Sequence, residues 1–462
     1  MFNIDRILED DKYLDTLSTD GSVFKVKPIA YYAPKTREEL SGLVKFSNKH
    51  QIQLTVRGRG TDQGGGALGQ GIIVLTEPYL NNAHHFNRSK KTIKVQPGVN
   101  YAALQDYLKK LGYFLPPYPA SIAYATIGGA VANNAAGEMS YKYGSTKDYV
   151  VGLDIILSDG STATIGEHRS FGNSFIKKIY KEIRNLLNDN KRLIRKTTPI
   201  TSKYNSGYDI WAALLNNGSI DLRKLIVGSQ GTLALVSEIE LKPKKIIDKN
   251  RVTILASFDN LLDGYSTIKK LGVTDPTCIE MVDCNLLKKM RTIDETIIER
   301  IFSSSNPELV LIIEYENSKS VSSFAKLMLA EKILSRLATT VEVSRDPVRR
   351  SEFWAIRRSS AAKIWQLNSK KKALPIMEDA CVVAEEAGHF LTAVDRLLSK
   401  HNIEYATWGH AGNGNFHIQP LIDLGTQTGR ELVKTIVPAF NKIVHRYKGV
   451  PCAEHNDGLI RG

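Results

Sequence analysis

The sequence predicts an α+β chain built in two parts, and three observations carry that reading. Between residues 28 and 77, short β-type runs alternate with one helical pattern around a glycine-dense turn. After Pro243 the chain enters a charged stretch (Lys244, Lys245, Asp248, Lys249), and the pattern changes there. Beyond it, strand-length apolar runs alternate with longer helical ones, which predicts an antiparallel sheet covered by helices. The boundary is therefore placed near residue 246, and 462 residues suit two or three domains at roughly 100 to 200 residues each.

In order along the first part, Ile29 to Tyr32 reads as a strand and Thr36 to His50 as an amphipathic helix with Leu40, Leu43 and Val44 inward. Gln53 to Val56 and Ile72 to Leu75 are strands. Val150 to Leu157 is a strand closed by the turn Ser158-Asp159-Gly160, and Val236 to Leu241 follows a third glycine-rich stretch. In the second part Val252 to Ala256 and Leu309 to Glu314 are strands, while Leu261 to Leu271 and Val321 to Leu337 are helices.

Composition bounds the function. Hydrophobic residues at 42% and charged residues at 24% match a globular protein and argue against a disordered or fibrous one. No apolar stretch approaches the roughly 18 to 20 residues of a membrane span. Asp5, Glu9, Asp10 and Asp11 stand where a signal peptide needs basic and then apolar residues. The four cysteines (Cys278, Cys284, Cys381, Cys452) show no paired spacing, which predicts a reducing cytoplasm and neither disulfides nor an iron-sulfur cluster. Lys and Arg number 62 against 48 acidic residues, a net charge of +14. These cations are spread along the chain, whereas a nucleic-acid reader clusters them on a recognition element. The densest run, Lys370 to Lys372, follows Asn368 and Ser369 in what reads as a solvated loop. Small anionic ligands, or a peripheral contact with anionic lipid at the inner face of the membrane, account for the charge equally well.

The segment Val56-Arg57-Gly58-Arg59-Gly60-Thr61-Asp62-Gln63-Gly64-Gly65-Gly66 offers many unobstructed backbone N–H groups, suited to a pyrophosphate. It lacks the Gly-Lys-Ser/Thr of a Walker A loop. Gly64, Gly66 and Gly69 spell a nominal dinucleotide fingerprint, but Ile72-Ile73-Val74-Leu75 follows where that motif opens a helix, so NAD is disfavoured. Alone, the loop reads as a plain turn. Further small-residue segments follow at Pro97-Gly98, Pro119-Ala120-Ser121, Thr126 to Gly137, Tyr143-Gly144 and Gly228 to Leu233.

Taken in order, these motifs resemble the FAD-binding domain of vanillyl-alcohol-oxidase (PCMH-type) flavoproteins, over roughly residues 20 to 245. The resemblance implies a two-subdomain FAD-binding fold over residues 1–246, with the pyrophosphate held by Arg57, Gly58, Arg59, Gly60, Thr61, Asp62 and Gln63. It further implies cofactor contacts from Pro97, Gly98, Pro119, Ser121, Thr126, Gly128, Asn133, Asn134, Ala136, Gly137 and Tyr143, and an adenosine side at Gln230, Gly231 and Val236. Gln230 stands where many relatives carry Glu, which changes a ribose or adenine contact. The first loop has no His or Cys, so FAD is expected to be non-covalent.

Five of ten histidines (His401, His410, His417, His445, His455) fall in the last 62 residues. If Asn413-Gly414 forms a two-residue hairpin turn, His410 lies opposite His417. Two opposed imidazoles can share an ion; the alternative is two surface histidines. Glu454-His455 offers an acid and a base nearby in the chain. The pattern Gly-His-x-Gly-x-Gly-Asn-x-His followed by Glu-His resembles the C-terminal part of FAD-linked D-2-hydroxy-acid dehydrogenases, the group of D-lactate and D-2-hydroxyglutarate dehydrogenases and the glycolate oxidase flavin subunit.

That resemblance implies a substrate or cap domain over residues 247–448, with a signature at 449–462 returning to the flavin. It assigns zinc or manganese to His410, His417 and Glu454, the catalytic base to His455, and the substrate carboxylate to Arg357, with Asn415 also touching substrate. For Arg357, within Arg349, Arg350, Arg357 and Arg358, a solvated helix face is an equal reading. Glu378-Asp379 matches a further segment without an assigned role. The chemistry implied is oxidation of a small 2-hydroxy acid to the 2-oxo acid, with hydride passing to flavin. A non-NAD acceptor would then take the electrons: a quinone, a cytochrome, an electron-transfer flavoprotein or an iron-sulfur partner. A homodimer is compatible with this reading. Two alternatives stand beside it, a flavin subunit that only relays electrons and a metal-dependent hydrolase. Glu454-His455-Asn456-Asp457-Gly458 departs from the commoner Glu-His-Gly, and relatives continue past the position of Gly462 with further helix, so the chain is expected to be truncated.

Overall fold

The computed structural model describes residues 2–166, 173–246, 250–293, 295–302, 305–316, 321–366 and 370–461. The expected linker residues Asp248 and Lys249, the loop residues Asn368 and Ser369, and the terminal Gly462 lie outside them.

The first subdomain is a parallel sheet made of β1 (Ala30–Tyr32), β2 (Leu54–Arg57) and β3 (Ile72–Leu75), with β3 in the middle. The helix Arg37–His50 makes the crossover. Thr36 caps it by accepting from the Glu39 N–H, and Gln51 ends it in the left-handed region. Its Leu40, Leu43 and Val44 pack on Ile72 and Val74, as the apolar spacing predicts. Because β3 follows the glycine loop directly, Gly64, Gly66 and Gly69 open no helix.

The second subdomain is an antiparallel sheet of β4 (Ile93–Val95), β5 (Val150–Ile156), β6 (Thr162–Gly166) and β7 (Leu235–Leu241), in the order β4-β7-β5-β6. Helices Tyr101–Lys110 and Ser174–Asp189 contribute Leu104, Leu108, Ile176 and Leu187 to its core. Lys244 and Lys245, expected in a linker, instead pair with Tyr113 and Phe114 as a short antiparallel bridge.

The C-terminal sheet runs β11-β8-β10-β9-β12-β13, with β8 Val252–Phe258, β9 Cys278–Asp283, β10 Leu309–Tyr315, β11 Thr340–Ser344, β12 Tyr405–His410 and β13 Asn415–Ile422. Lys372, expected in a loop, pairs with the far edge at Ile422, and Ala373 beside it pairs with Leu421. Helices cover both faces, so β8 and β10 are buried along their whole length and their sequences are nearly unbroken apolar runs. Ile254, Ala256 and Met281 face the helices Leu261–Gly272, Val321–Leu334, Ala387–Lys400 and Gln427–Arg446. Leu255, Cys278 and Val282 face the helices Cys284–Ile293 and Pro347–Trp365. All four cysteines are free and buried. Among the described residues no helix is long and apolar enough to cross a membrane.

Candidate active site

A cleft of about 1670 Å³, open solvent at its mouth included, runs between the domains. One end is made of backbone. Gly58, Arg59, Gly60, Thr61, Asp62, Gln63, Pro97, Pro119, Ser121, Thr126, Gly128, Asn133, Ala136, Gly137, Gln230, Gly231 and Val236 all line it. The chain is drawn so tight there that a Cβ on Gly137 would sit 2.1 Å from the Tyr118 carbonyl oxygen, and one on Gly128 2.7 Å from that of Pro97. The loop is held by Asp62, whose carboxylate accepts from the N–H groups of Gly64 and Gly66 and from Asn133. Gln230, in the left-handed region at φ 52°, carries a buried Nε2 with no partner at the cleft wall.

Four expected cofactor residues lie elsewhere. The Arg57 guanidinium turns beneath the loop and donates to the carbonyls of Leu17, Thr19 and Ala67, so it braces the loop from behind. Gly98 is pressed against the backbone of Thr76 to Leu80. Asn134 packs against Asn205 and accepts from the Lys147 N–H. The Tyr143 hydroxyl donates to Glu316 of the other domain at 2.5 Å.

The other end of the cleft is made of side chains: Arg357, Arg358, Trp408, His410, His417, Glu454 and His455. The expected two-residue turn is absent. Ala411–Asn413 form a 3-10 turn and Gly414 closes it at φ 70°, so His410 pairs with Asn415 and Trp408 with His417. The register is two residues off the expected one, and since strand side chains alternate with period two, both histidines keep the same face. Their rings lie 5.5 Å apart, and His455 stacks on His417 at 5.1 Å.

Ligand atoms of His410, His417 and Glu454 all fall within 4.8 Å of one another in a buried cluster. His410 Nδ1 is 2.8 Å from Glu280, which leaves Nε2 directed at Glu454, 3.4 Å away. His417 Nδ1 lies 3.5 Å from Glu378 without a hydrogen bond. Two histidines, one of them held by the buried Glu280, with the Glu454 carboxylate beside them form a donor set that fits a divalent cation. His455 Nδ1 is 2.5 Å from Glu378. Burial works against a charge on His455, yet the Glu378 carboxylate outweighs it and pushes the pKa up to about 10. Burial would likewise raise Glu378, but His455 and Arg461 hold it well below the usual carboxylate range.

Asn415 does not line the cleft. It is fully buried, donates to Asp379 and the Ala380 carbonyl, and accepts from Lys203. Arg357 is 6% exposed and ion-paired, not on a solvated helix face. Asp379, at φ 79°, gathers the N–H groups of Ala453, Glu454 and His455 onto one oxygen at 3.0, 2.8 and 2.7 Å and so shapes the C-terminal signature.

Three residues that touch this cluster carried no sequence signal. Lys203, buried, pairs with Glu454. Glu280 bonds both His410 and Arg357. Arg461 pairs with Glu378. Only the burial of a charge marks the first two, and burial is not read from local pattern.

Comparisons with known proteins identify the two domains that form the cleft. Residues 28–166 match the FAD binding domain family, and residues 247–461 match the C-terminal domain of FAD linked oxidases. The chain is 25% identical over 466 residues to the D-2-hydroxyglutarate dehydrogenase of Escherichia coli K12, covering 96% of this chain and 46% of that protein. It is 26% identical to the glycolate oxidase subunit GlcD of Bacillus subtilis, covering 95% and 82%, and 25% identical to the D-lactate dehydrogenase of Archaeoglobus fulgidus, covering 93% and 82%. It thus spans about half the length of the first of these relatives. In fold it is similar to the 4-ethylphenol oxidase of Gulosibacter chungangensis, with a TM-score of 0.72 at 13% identity over 98% of this chain and 87% of the other. The glycine loops within residues 28–166 therefore belong to a cofactor domain and are not plain turns beside a hydrolytic metal site. Residues 28–166 thus belong to the FAD binding domain family and residues 247–461 to the C-terminal domain family of the FAD linked oxidases, and the two domains meet at this cleft.

Proposed function

We propose that the chain oxidises a D-2-hydroxy acid, of the D-lactate, D-2-hydroxyglutarate or glycolate type, to the 2-oxo acid and passes the electrons to an acceptor other than NAD. One observation carries this reading: Arg357, His455 and a His410, His417 and Glu454 cluster able to hold a cation converge at one end of a cleft whose other end is built from the glycine-rich segments of the FAD binding domain. When bound, FAD supplies the hydride acceptor. A zinc or manganese ion held by His410, His417 and Glu454 would supply Lewis acidity toward the substrate hydroxyl.

The chain's own groups do the rest. Arg357 uses Nε for Glu280, which leaves its two terminal nitrogens for a substrate carboxylate. Glu378 fixes the His455 ring through Nδ1, so Nε2 is the atom that takes the hydroxyl proton. The carboxylate that favours the charged ring also makes neutral His455 a stronger base and stabilises the imidazolium it becomes. A positive ion at the neighbouring ligands opposes that charge and favours the neutral starting form. Lys203 and Asp379 hold Glu454 and the His455 backbone in place.

The test is anaerobic mixing of the flavin-loaded protein with a panel of D- and L-2-hydroxy acids. Bleaching of the flavin by a D-acid is expected, together with its loss in His455→Ala at unchanged flavin content. A flavin that stays oxidised with every acid would leave only an electron-relay role.

A further inference from the structure

Glu280 lies on β9 one step beyond the Met281–Gly409 pair, which sets it directly across from His410 on the neighbouring strand. It alternates with Cys278 and Val282, so its side chain points to the same sheet face as theirs, toward the helix Pro347–Trp365 that carries Arg357. The residue is 1% exposed and is not part of the cleft wall. Each of its two oxygens has one partner: Oε1 is 2.8 Å from His410 Nδ1, and Oε2 accepts from Arg357 Nε at 2.7 Å. An acid this deep is tolerated only when paired, and both of its partners belong to the candidate site.

From this shared carboxylate we infer that Glu280 is a positioning residue that couples the cation site to the substrate arginine. The inference rests on the functional reading above, in which His410 is a cation ligand and Arg357 meets the substrate. Acceptance by Oε1 fixes the His410 tautomer, puts the proton on Nδ1 and leaves Nε2 as the ligand atom. Acceptance by Oε2 fixes the plane of the guanidinium. Because one negative charge serves both partners, charge drawn toward Arg357 is withdrawn from the histidine. Whatever weakens the Glu280–Arg357 bond makes His410 the better ligand. A substrate anion that recruits the guanidinium would therefore change cation affinity through Glu280, in addition to any direct contact it makes with the ion.

This coupling is measurable with no substrate and no turnover. The apparent affinities for Zn²⁺ and Mn²⁺ are measured by chelator competition on flavin-loaded protein carrying Arg357→Met, Glu280→Gln, both, or neither. Glu280→Gln keeps the shape but can accept from only one of its two neighbours, so it should weaken cation binding about ten- to a hundredfold, the usual range for a residue behind a metal ligand. Arg357→Met should tighten binding at least tenfold when Glu280 is present. With Gln at 280 it should tighten binding no more than about threefold, since only the through-space loss of a positive charge remains.

Equal shifts in the two backgrounds, or no shift in Arg357→Met alone, would overturn the coupling. Should the Gln variant not fold, Glu280→Met, which removes the shared charge at similar volume, takes its place in the same cycle with the same required inequality. Failure of the unmodified protein to bind either ion would overturn the cation reading and the coupling with it. Tight binding with the predicted inequality, but no flavin bleaching by any hydroxy acid, would instead leave the coupling standing and remove only the proposed substrate.

Discussion

The two ends of the cleft are built on different principles. The FAD end is a wall of backbone, made by segments that each reach the cleft as a short continuous run. The opposite end is a knot of charged side chains from residues 203, 280, 357, 378, 410, 417, 454 and 461. The first resists change in shape and tolerates loss of charge, and the second does the reverse. A Cβ on Gly128 or Gly137 meets carbonyl groups that cannot rotate aside, whereas in the knot removing one ion leaves another buried and unpaired.

The largest expected effect on cofactor content follows from shape. In Gly137→Ala the added carbon would sit 2.1 Å from the Tyr118 carbonyl oxygen, so the Tyr118–Pro119 turn at the cleft wall must move outward. Overpacking of this kind costs about 1 to 3 kcal/mol in stability, and here the displacement falls on the cofactor surface. The variant should purify colourless while its cation site is intact. A full complement of flavin absorbance would show that the cradle yields, and the comparison would fail at that end.

The next effect belongs to the knot. Asp379→Ala strips one acceptor oxygen from three N–H groups of the C-terminal signature. Charged-acceptor bonds contribute about 1.5 to 3 kcal/mol each and do not add fully, so a loss of about 3 to 5 kcal/mol in unfolding free energy is expected. Cation binding should disappear, since Glu454 loses its backbone anchor, and chemical denaturation with and without Zn²⁺ reads both outcomes. A variant that still binds the ion would mean the signature is shaped by its own side chains.

Lys203→Met ranks third. Burial disfavours a charged Glu454, and His410 and Lys203 together hold its pKa well below the usual range. Removing the ammonium from a pair in which both side chains are 5% exposed leaves a buried carboxylate and should cost about 3 kcal/mol in the cation-free protein. A divalent ion can replace the lost charge, so the gain in melting temperature on adding Zn²⁺ should be larger in the variant than in the parent. Equal gains would place the ion away from Glu454.

The same contrast explains what could be read from the sequence. The glycine segments are local, and a turn that needs an unobstructed N–H announces itself in five or six consecutive residues. Most cradle positions were legible that way, and the exceptions are instructive. Arg57 sits in the right loop, but a cation there can serve either a ligand or three carbonyls, and spacing does not distinguish the two. The hairpin was legible to within two residues because period-two alternation preserves the face and not the register. Lys203 with Glu454 and Glu280 with His410 are separated by 251 and 130 residues, so only the packed sheet brings them together. Asn415, read as a substrate contact, was one layer too deep for the same reason: a polar residue beside a ligand looks alike in sequence whether it faces the cleft or the core.

The smallest effect tests the cradle from its other side. Arg59 is the one arginine of the first loop at the cleft wall, its side chain is 51% exposed, and its partner Glu77 stands 3.4 Å away and nearly as exposed. Solvent screens a charge in that position, and exposed pairs contribute about 0 to 1 kcal/mol. If the N–H groups of the loop carry the pyrophosphate, Arg59→Ala should weaken FAD binding by no more than about fivefold, equivalent to about 1 kcal/mol, and leave the melting temperature unchanged. Titration of the apoprotein with FAD at low and moderate salt decides the point. A loss beyond tenfold that vanishes at the higher salt would mean that this end, too, depends on a side-chain charge.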